Sequence, residues 1–385
     1  MNLIEKEETV DLDTHVTALS PAVDETVLET LNKLVLSGGT EHIYRAADPG
    51  YPGNFSRDSI IAASLGGDIP ALRAQVDYSA QFQGKKEDAL TGEEPGKIHH
   101  ELPAVEFNGA STAFNACDTT ALFLTSIATL SEVQNEAITE QYKDQINAGI
   151  KYVKRHVKDG LFYEDPKLAG ADRFGLRVTY WKDSILNTRF KDEPRYPVVF
   201  TLAHFQNADA LARIAIALRD IELEYFAAEM FKTGVEKLWS DDHFVTAIDA
   251  DGVIDAPSTD SLYCLLHISP FILPENYAEK IQEYSRQLET KAGYRTGLPV
   301  SDGRDNYHTE YVWTHEQALI HAGAKRYGLE HVQTVSNRVV NFFDPSQELY
   351  PELVDASTYV PAGNFKQLWS VRAYQYFQNP NKALF

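Results

Sequence analysis

Apolar residues return every three to four positions along most of this chain, in stretches that end at polar breaks containing Gly or Pro. That is the spacing of helices with a buried face. It predicts about a dozen helices, over 24–37, 56–65, 69–83, 116–133, 140–157, 201–217, 220–238, 260–268, 277–290, 313–326, 329–342 and 365–377. Asp24 precedes Val27, Leu28 and Leu31 and can cap the first of these, and Pro70 suits the first turn of the third. Alternation at Leu161-Phe162-Tyr163 and from Phe244 to Ile248 predicts short strands. No series of buried strands with crossover helices appears, which disfavours a doubly wound sheet. The expected class is all-α, a toroid of about six helical hairpins with loops over one end.

Four segments between helices are long, 84–115, 161–183, 291–312 and 344–364, and rich in Gly, Pro, His, Asp and aromatic residues. Loops longer than about 12–15 residues are uncommon unless functional or disordered, and the aromatic content argues for order. No linker divides the chain, so residues 1–385 read as one domain, with 1–20 a peripheral N-terminal segment.

Charge narrows the partners. With 35 basic against 56 acidic residues the formal charge is −21, which repels nucleic acid and anionic membranes and suits a neutral ligand. The 20 Tyr, 19 Phe and 4 Trp supply flat amphipathic surfaces for one. Cys117 and Cys264 are the only cysteines, too few for a disulfide framework or a cysteine-rich metal site. The acidic start is not a signal peptide and no run of 18 apolar residues occurs, so the expected location is cytoplasmic. Protein partners and oligomeric state are not legible in the sequence.

Several motifs can carry chemistry. In Phe55-Ser56-Arg57-Asp58-Ser59, Arg57 and Asp58 can bind sugar hydroxyls, or Ser56 or Asp58 can cap the helix while Arg57 forms an ion pair. Lys97, His100 and Glu101 can line a polar pocket or a solvated loop; the adjacent His99, His100 and Glu101 do not converge readily on a metal ion. Asp183, after Trp181 and Lys182, can act as a proton donor beside an aromatic platform, or start a helix with Trp181 in the core. Arg295 and the run from His308 to Trp313 form the densest polar-aromatic region. Glu352 is a second candidate carboxylate, and Gln367 and Trp369 can buttress its loop or line the pocket. The GxSxG, GxGxxG and GxxxxGK[ST] patterns are absent.

Together FSRDS at 55–59, EPGKIHHE at 94–101, DTTALF at 118–123, YWKDS at 180–184, RTG at 295–297, the YH…VW segment at 307–313 and YPEL at 350–353 resemble the glucosidase domain of glycogen-debranching enzymes and the wider clan of inverting (α/α)₆-barrel glycosidases. The resemblance implies Asp183 as general acid and Glu352 as general base. It implies that Arg57 and Asp58 hold the terminal sugar, and that Lys97, Glu101, Trp181, Lys182, His308 and Trp313 face the pocket. The expected activity is an inverting exo-acting α-glycosidase on a short oligosaccharide or small glycoside, with an α-glucosidase as the main reading. A disaccharide phosphorylase, a mannoside- or trehalose-hydrolysing enzyme, and a noncatalytic carbohydrate-binding protein are the alternatives. Inversion by two carboxylates needs about 6.5–9.5 Å between them for water, and no metal or organic cofactor.

Overall fold

The computed structural model describes residues 21–36, 42–134, 137–184, 193–299 and 307–385. Among them lie thirteen α-helices: α1 (Pro21–Leu34), α2 (Ser56–Gly66), α3 (Ile69–Gln81), α4 (Thr119–Gln134), α5 (Ala137–Gln141), α6 (Lys143–His156), α7 (Thr201–Leu218), α8 (Ile221–Lys237), α9 (Asp260–His267), α10 (Tyr277–Ser285), α11 (Thr314–Arg326), α12 (Glu330–Asn337) and α13 (Leu368–Gln378). Helices α2, α4, α7, α9, α11 and α13 pack each on the next, and α13 returns to α2, closing a ring. Outside it, α3 covers α2, α6 covers α4, α8 covers α7, α10 covers α9, α12 covers α11 and α1 covers α13. This is the all-α toroid that the periodicity predicts.

The two layers differ in pattern because they differ in what covers them. An inner helix meets ring neighbours on its flanks and a partner behind, so Thr201–Leu211 of α7 is buried without a break. An outer helix has one covered stripe: α6 buries Ile146, Gly149, Tyr152, Val153 and His156 and exposes its lysines. One apolar cluster runs from Val27 to Tyr376 through both layers. Phe205 of α7 packs in it against Phe231 of α8 and Phe244, with ring centroids 6.3 and 5.0 Å away. Truncating such a side chain to Ala costs about 3–5 kcal/mol.

Local chemistry sets the ends. The Asp68 carboxylate accepts from the Ala71 amide at 3.0 Å with Pro70 in the first turn of α3, and Asp220 caps α8 through the Leu223 amide at 3.0 Å. Helix α2 stops at Gly67, where a φ of 63° and the Lys382 carbonyl oxygen, pressed into the space a Cβ would take, admit only glycine.

Some boundaries differ from the expectation. Helix α1 starts at Pro21, so Asp24 lies inside its first turn and is not its cap, and Leu28 faces outward. The stretches 277–290 and 329–342 tighten into 3₁₀ turns after Ser285 and Asn337. Helix α4 begins only at Thr119 and α13 only at Leu368, because the residues before them are held by other segments: Cys117 N donates to Thr179 O at 2.9 Å, Tyr350 N to Phe365 O at 2.8 Å and Asp48 N to Lys366 O at 3.3 Å. The expected peripheral segment 1–20 lies outside the described residues. No described helix is long and apolar enough to cross a membrane.

The strands are two or three residues long and stand mostly at one end of the ring. Residues 54–55 pair with 101–102 and run into α2; 199–200 pair with 247–248 and run into α7; 311–313 pair with 353–355 and run into α11. The inner helices therefore present their first turns to one end, where the long loops gather.

Candidate active site

At that end a small, partly open pocket is lined by Tyr51, Phe55, Arg57, Asp58, His100, Trp181, Asp183, Tyr307, Trp313, Glu352, Gln367 and Trp369. Arg57 and Asp58 come from the first turn of α2, Trp313 from the residue before α11, and Gln367 and Trp369 from the start of α13. Asp183 and Glu352 come from loops.

Glu352 is 2% exposed and held on both oxygens. The Tyr307 hydroxyl donates to Oε1 at 2.9 Å; the backbone N and side-chain Nδ2 of Asn364 donate to Oε2 at 3.0 and 2.9 Å. Two glycines make room for this. A Cβ on Gly363, whose φ is 71°, would lie 2.6 Å from Glu352 Oε2, and one on Gly50 would collide with Asn364 Oδ1. The backbone is pinned as well: Glu352 N donates to Asn364 O at 2.8 Å and Thr314 N to Glu352 O at 3.2 Å.

Asp183 follows a buried run, Val178 to Lys182, that is not helical. Burial pushes its carboxyl up to about 6; Arg57 opposes this and Asp118 reinforces it. Asp58 goes further, to about 8, through burial, against the pull of Arg57 and with Glu352 and Asp183 adding repulsion. Its Oδ1 accepts from Gln367 Nε2 at 3.4 Å. Ser56 and Asp58 do not cap α2: its N-cap residue is Phe55, without a side-chain cap, and Ser56 N donates to His100 O at 3.0 Å.

Arg57 reaches the pocket wall already paired. Its Nε and Nη2 meet the two oxygens of buried Asp118 at 2.8 and 2.9 Å, a bidentate bond that consumes much of its donor capacity. The aromatic walls are rigid: Trp369 stacks on His315 with centroids 3.6 Å apart, and Trp313 on His308 at 4.8 Å. Four buried polar atoms of lining residues have no hydrogen-bond partner among the described residues: the indole nitrogens of Trp181 and Trp369, Gln367 Oε1 and His100 Nδ1. Buried groups of this kind are costly unless a ligand or water meets them.

Of the residues singled out in the sequence, Asp183, Glu352, Arg57, Asp58, His100, Trp181, Trp313, Gln367 and Trp369 stand together in this wall. Five others stand outside it, each for a visible reason. Lys97 is fully buried between Glu164, at 3.2 Å, and Glu94, at 3.6 Å. Lys182 is enclosed by oxygens at the start of α9 and in the segments beside it. Glu101 accepts from the Thr112 hydroxyl. Arg295 is half-buried on the strand side, where Arg295 N donates to Leu288 O at 2.9 Å. His308 sits behind Trp313, its Nδ1 2.8 Å from Ser184 Oγ. Three lining aromatics fall outside the set that the sequence singles out. Tyr51 stands in Gly50-Tyr51-Pro52-Gly53, an aromatic in a turn just before an inner helix, which is a usable signal; Phe55 and Tyr307 lie inside motifs whose charged members carry the reading. Among the described residues no group of three or more His, Cys, Asp or Glu side chains could hold a metal ion.

No family profile matches this chain and no curated protein matches it in sequence. Solved structures do match in fold. One is a GH63 mannosylglycerate hydrolase from Thermus thermophilus in complex with Tris and D-glycerate, 13% identical, with a TM-score of 0.67 over 93% of this chain and 100% of that one. A wild-type glycosidase has 14% identity and a TM-score of 0.61 over 94% of this chain and 98% of its own. A rhamnosidase from Klebsiella oxytoca with rhamnose bound has 11% identity and a TM-score of 0.57 over 95% of this chain and 65% of its own. These likenesses establish the fold that the sequence resemblance implied, a six-hairpin (α/α)₆ toroid; they do not extend to the debranching glucosidases in particular.

Proposed function

We propose that this chain is an inverting, exo-acting α-glycosidase that releases one hexose from a small glycoside. The observation that carries the reading is the pairing of unlike carboxyl groups in one pocket. Asp183, pushed up to about 6, is suited to give a proton; Glu352, oriented by three donors, stands in the same wall as the base. Asp183 donates its proton to the glycosidic oxygen as the bond to the anomeric carbon breaks. Glu352 takes a proton from the water that attacks that carbon from the opposite face. The product is the hexose of inverted anomeric configuration and the free alcohol, and the two carboxyl groups have exchanged protonation states.

Aromatic faces and the four unpartnered polar atoms support a sugar as the ligand, since a ring with several hydroxyls offers both an apolar face and the missing hydrogen-bond partners. The fold's likeness to a mannosylglycerate hydrolase favours a small α-mannoside over a glucose oligosaccharide.

Proton NMR of the anomeric signals tests this during turnover of α-mannosides, including mannosylglycerate, α-glucosides and trehalose. Initial release of the β-hexose is expected. Release of the α-anomer, or of a sugar 1-phosphate only when phosphate is present, would overturn the mechanism.

A further inference from the structure

Lys182 immediately precedes Asp183, and the sequence resemblance places it among the pocket-facing residues. Its surroundings say otherwise. The ammonium lies 2.7 Å from Asp260 Oδ1, 2.7 Å from Ser258 Oγ, 3.1 Å from Thr259 Oγ1 and 3.2 Å from the Thr296 carbonyl, with Glu316 Oε1 at 3.9 Å. An ammonium has three protons to donate. All are taken up by this cage, and none is left for a sugar.

The cage is itself anchored. The other oxygen of Asp260 accepts from the Tyr180 hydroxyl at 2.9 Å, and the Thr259 hydroxyl lies against the Glu316 carboxyl. Ser258, Thr259 and Asp260 belong to the start of α9, and Glu316 to the first turn of α11. Tyr180 and Lys182, on either side of Trp181, are thus both fastened to Asp260. The segment that carries Asp183 has no helix or strand of its own to fix it, and this double attachment supplies what regular structure would. Asp260 lies against the lysine's charge, while burial pushes Glu316 up to about 7 against the pull of Lys182 and the Thr259 hydroxyl.

We infer that Lys182 is a positioning residue for the general acid: it touches no substrate, and its cage fixes the Trp181–Asp183 segment so that the Asp183 carboxyl meets the departing glycosidic oxygen. This rests on the proposed reading of Asp183 as that acid.

The dependence on leaving group tests it. A glycoside of a simple alcohol needs its oxygen protonated as it departs, whereas fluoride leaves from a glycosyl fluoride without help; both need Glu352 and the same sugar contacts. In Lys182→Met, kcat/KM on the alkyl glycoside should fall about 100-fold, the scale of a lost general acid, while kcat/KM on the glycosyl fluoride falls less than about fivefold. Equal losses on the two substrates, in kcat or in KM, would overturn the positioning role in favour of a structural or sugar-binding one. Ser258→Ala removes one cage oxygen with little risk to folding, and should show the same split at about tenfold; an unsplit loss there would overturn the inference equally. Asp183→Asn is the reference: if it shows no split, the assignment of the acid has failed, separately from the role of Lys182.

Discussion

The Tyr307 hydroxyl bonds Glu352 Oε1 at 2.9 Å, and the next residue, His308, places its Nδ1 2.8 Å from the hydroxyl of Ser184, which follows Asp183. One dipeptide thereby touches the segments that carry both carboxyl groups. Tyr307 also interacts through its hydroxyl with Tyr51, from the loop that precedes α2. In Tyr307→Phe the Oε1 side of Glu352 loses its donor while Asn364 keeps the other oxygen. A hydrogen bond to a charged group contributes about 1.5–3 kcal/mol, so kcat should fall roughly 10- to 100-fold. KM should change little. A large rise in KM with kcat intact would instead make Tyr307 a sugar contact.

The acid has to be protonated when substrate binds. With Asp183 pushed up to about 6, its proton is lost as pH rises through that value, so kcat/KM should fall about tenfold per unit above it. Rate measurements from about pH 4 to 9 with a glycoside of a simple alcohol check this. The limb should vanish in Asp183→Asn, whose residual rate has no proton to lose. A plateau extending to about pH 8 in the unmodified protein would remove Asp183 from the acid's role.

Asp58 places a pH-dependent strain on the fold. Its carboxyl is pushed up from 3.8 to about 8, so the folded chain binds that proton more tightly than the unfolded one. The stability that goes with it is complete below about pH 4 and is lost as pH rises through about 8. Asp58→Asn removes this dependence. The drop in melting temperature between about pH 5 and pH 9 should be smaller in the variant by a few degrees. Turnover should fall in the same variant, which would make Asp58 a site residue held at a cost to the fold.

Gly363 isolates geometry from chemistry. A methyl group there meets Glu352 Oε2 at 2.6 Å and must be carried at a φ of 71°. Gly363→Ala should cost about 1–2 kcal/mol in stability from the left-handed backbone. It should also lower kcat about 100-fold, the effect of a misplaced reacting group. Circular dichroism melting beside steady-state rates separates the two. A normal rate in a strained but folded variant would show that Glu352 tolerates displacement.

What the sequence makes legible follows from what each signal depends on. Helix α3, predicted over 69–83 and observed over Ile69–Gln81, and α7, predicted over 201–217 and observed over Thr201–Leu218, announce themselves because apolar spacing and, in α3, Pro70 are local signals. Asp183 and Glu352 stand in the same pocket wall although 352 − 183 = 169 positions separate them, and only the order of the motifs hints at it. Lys97 and Lys182 are less legible. A lysine in a polar-aromatic segment reads alike whether it faces a sugar or a carboxylate, and here the carboxylates are Glu164, 67 positions from Lys97, and Asp260, 260 − 182 = 78 positions from Lys182. Tyr51 escapes the sequence reading because its contribution depends on where the Gly50–Gly53 turn lands against the loop of Asn364, which is a property of the closed ring.

The ring has a consequence for how the protein fails on heating. Asp58 is carried on α2, but Asp183 and Glu352 are carried on segments between outer and inner helices, so alignment of the three depends on junctions that the helices' own hydrogen-bond ladders do not hold. Warming should therefore reveal two thresholds. Turnover fades first, as the junctions loosen and the carboxyl groups drift out of register, while far-ultraviolet ellipticity still reports an intact toroid; cooling from between the two should restore the rate in full.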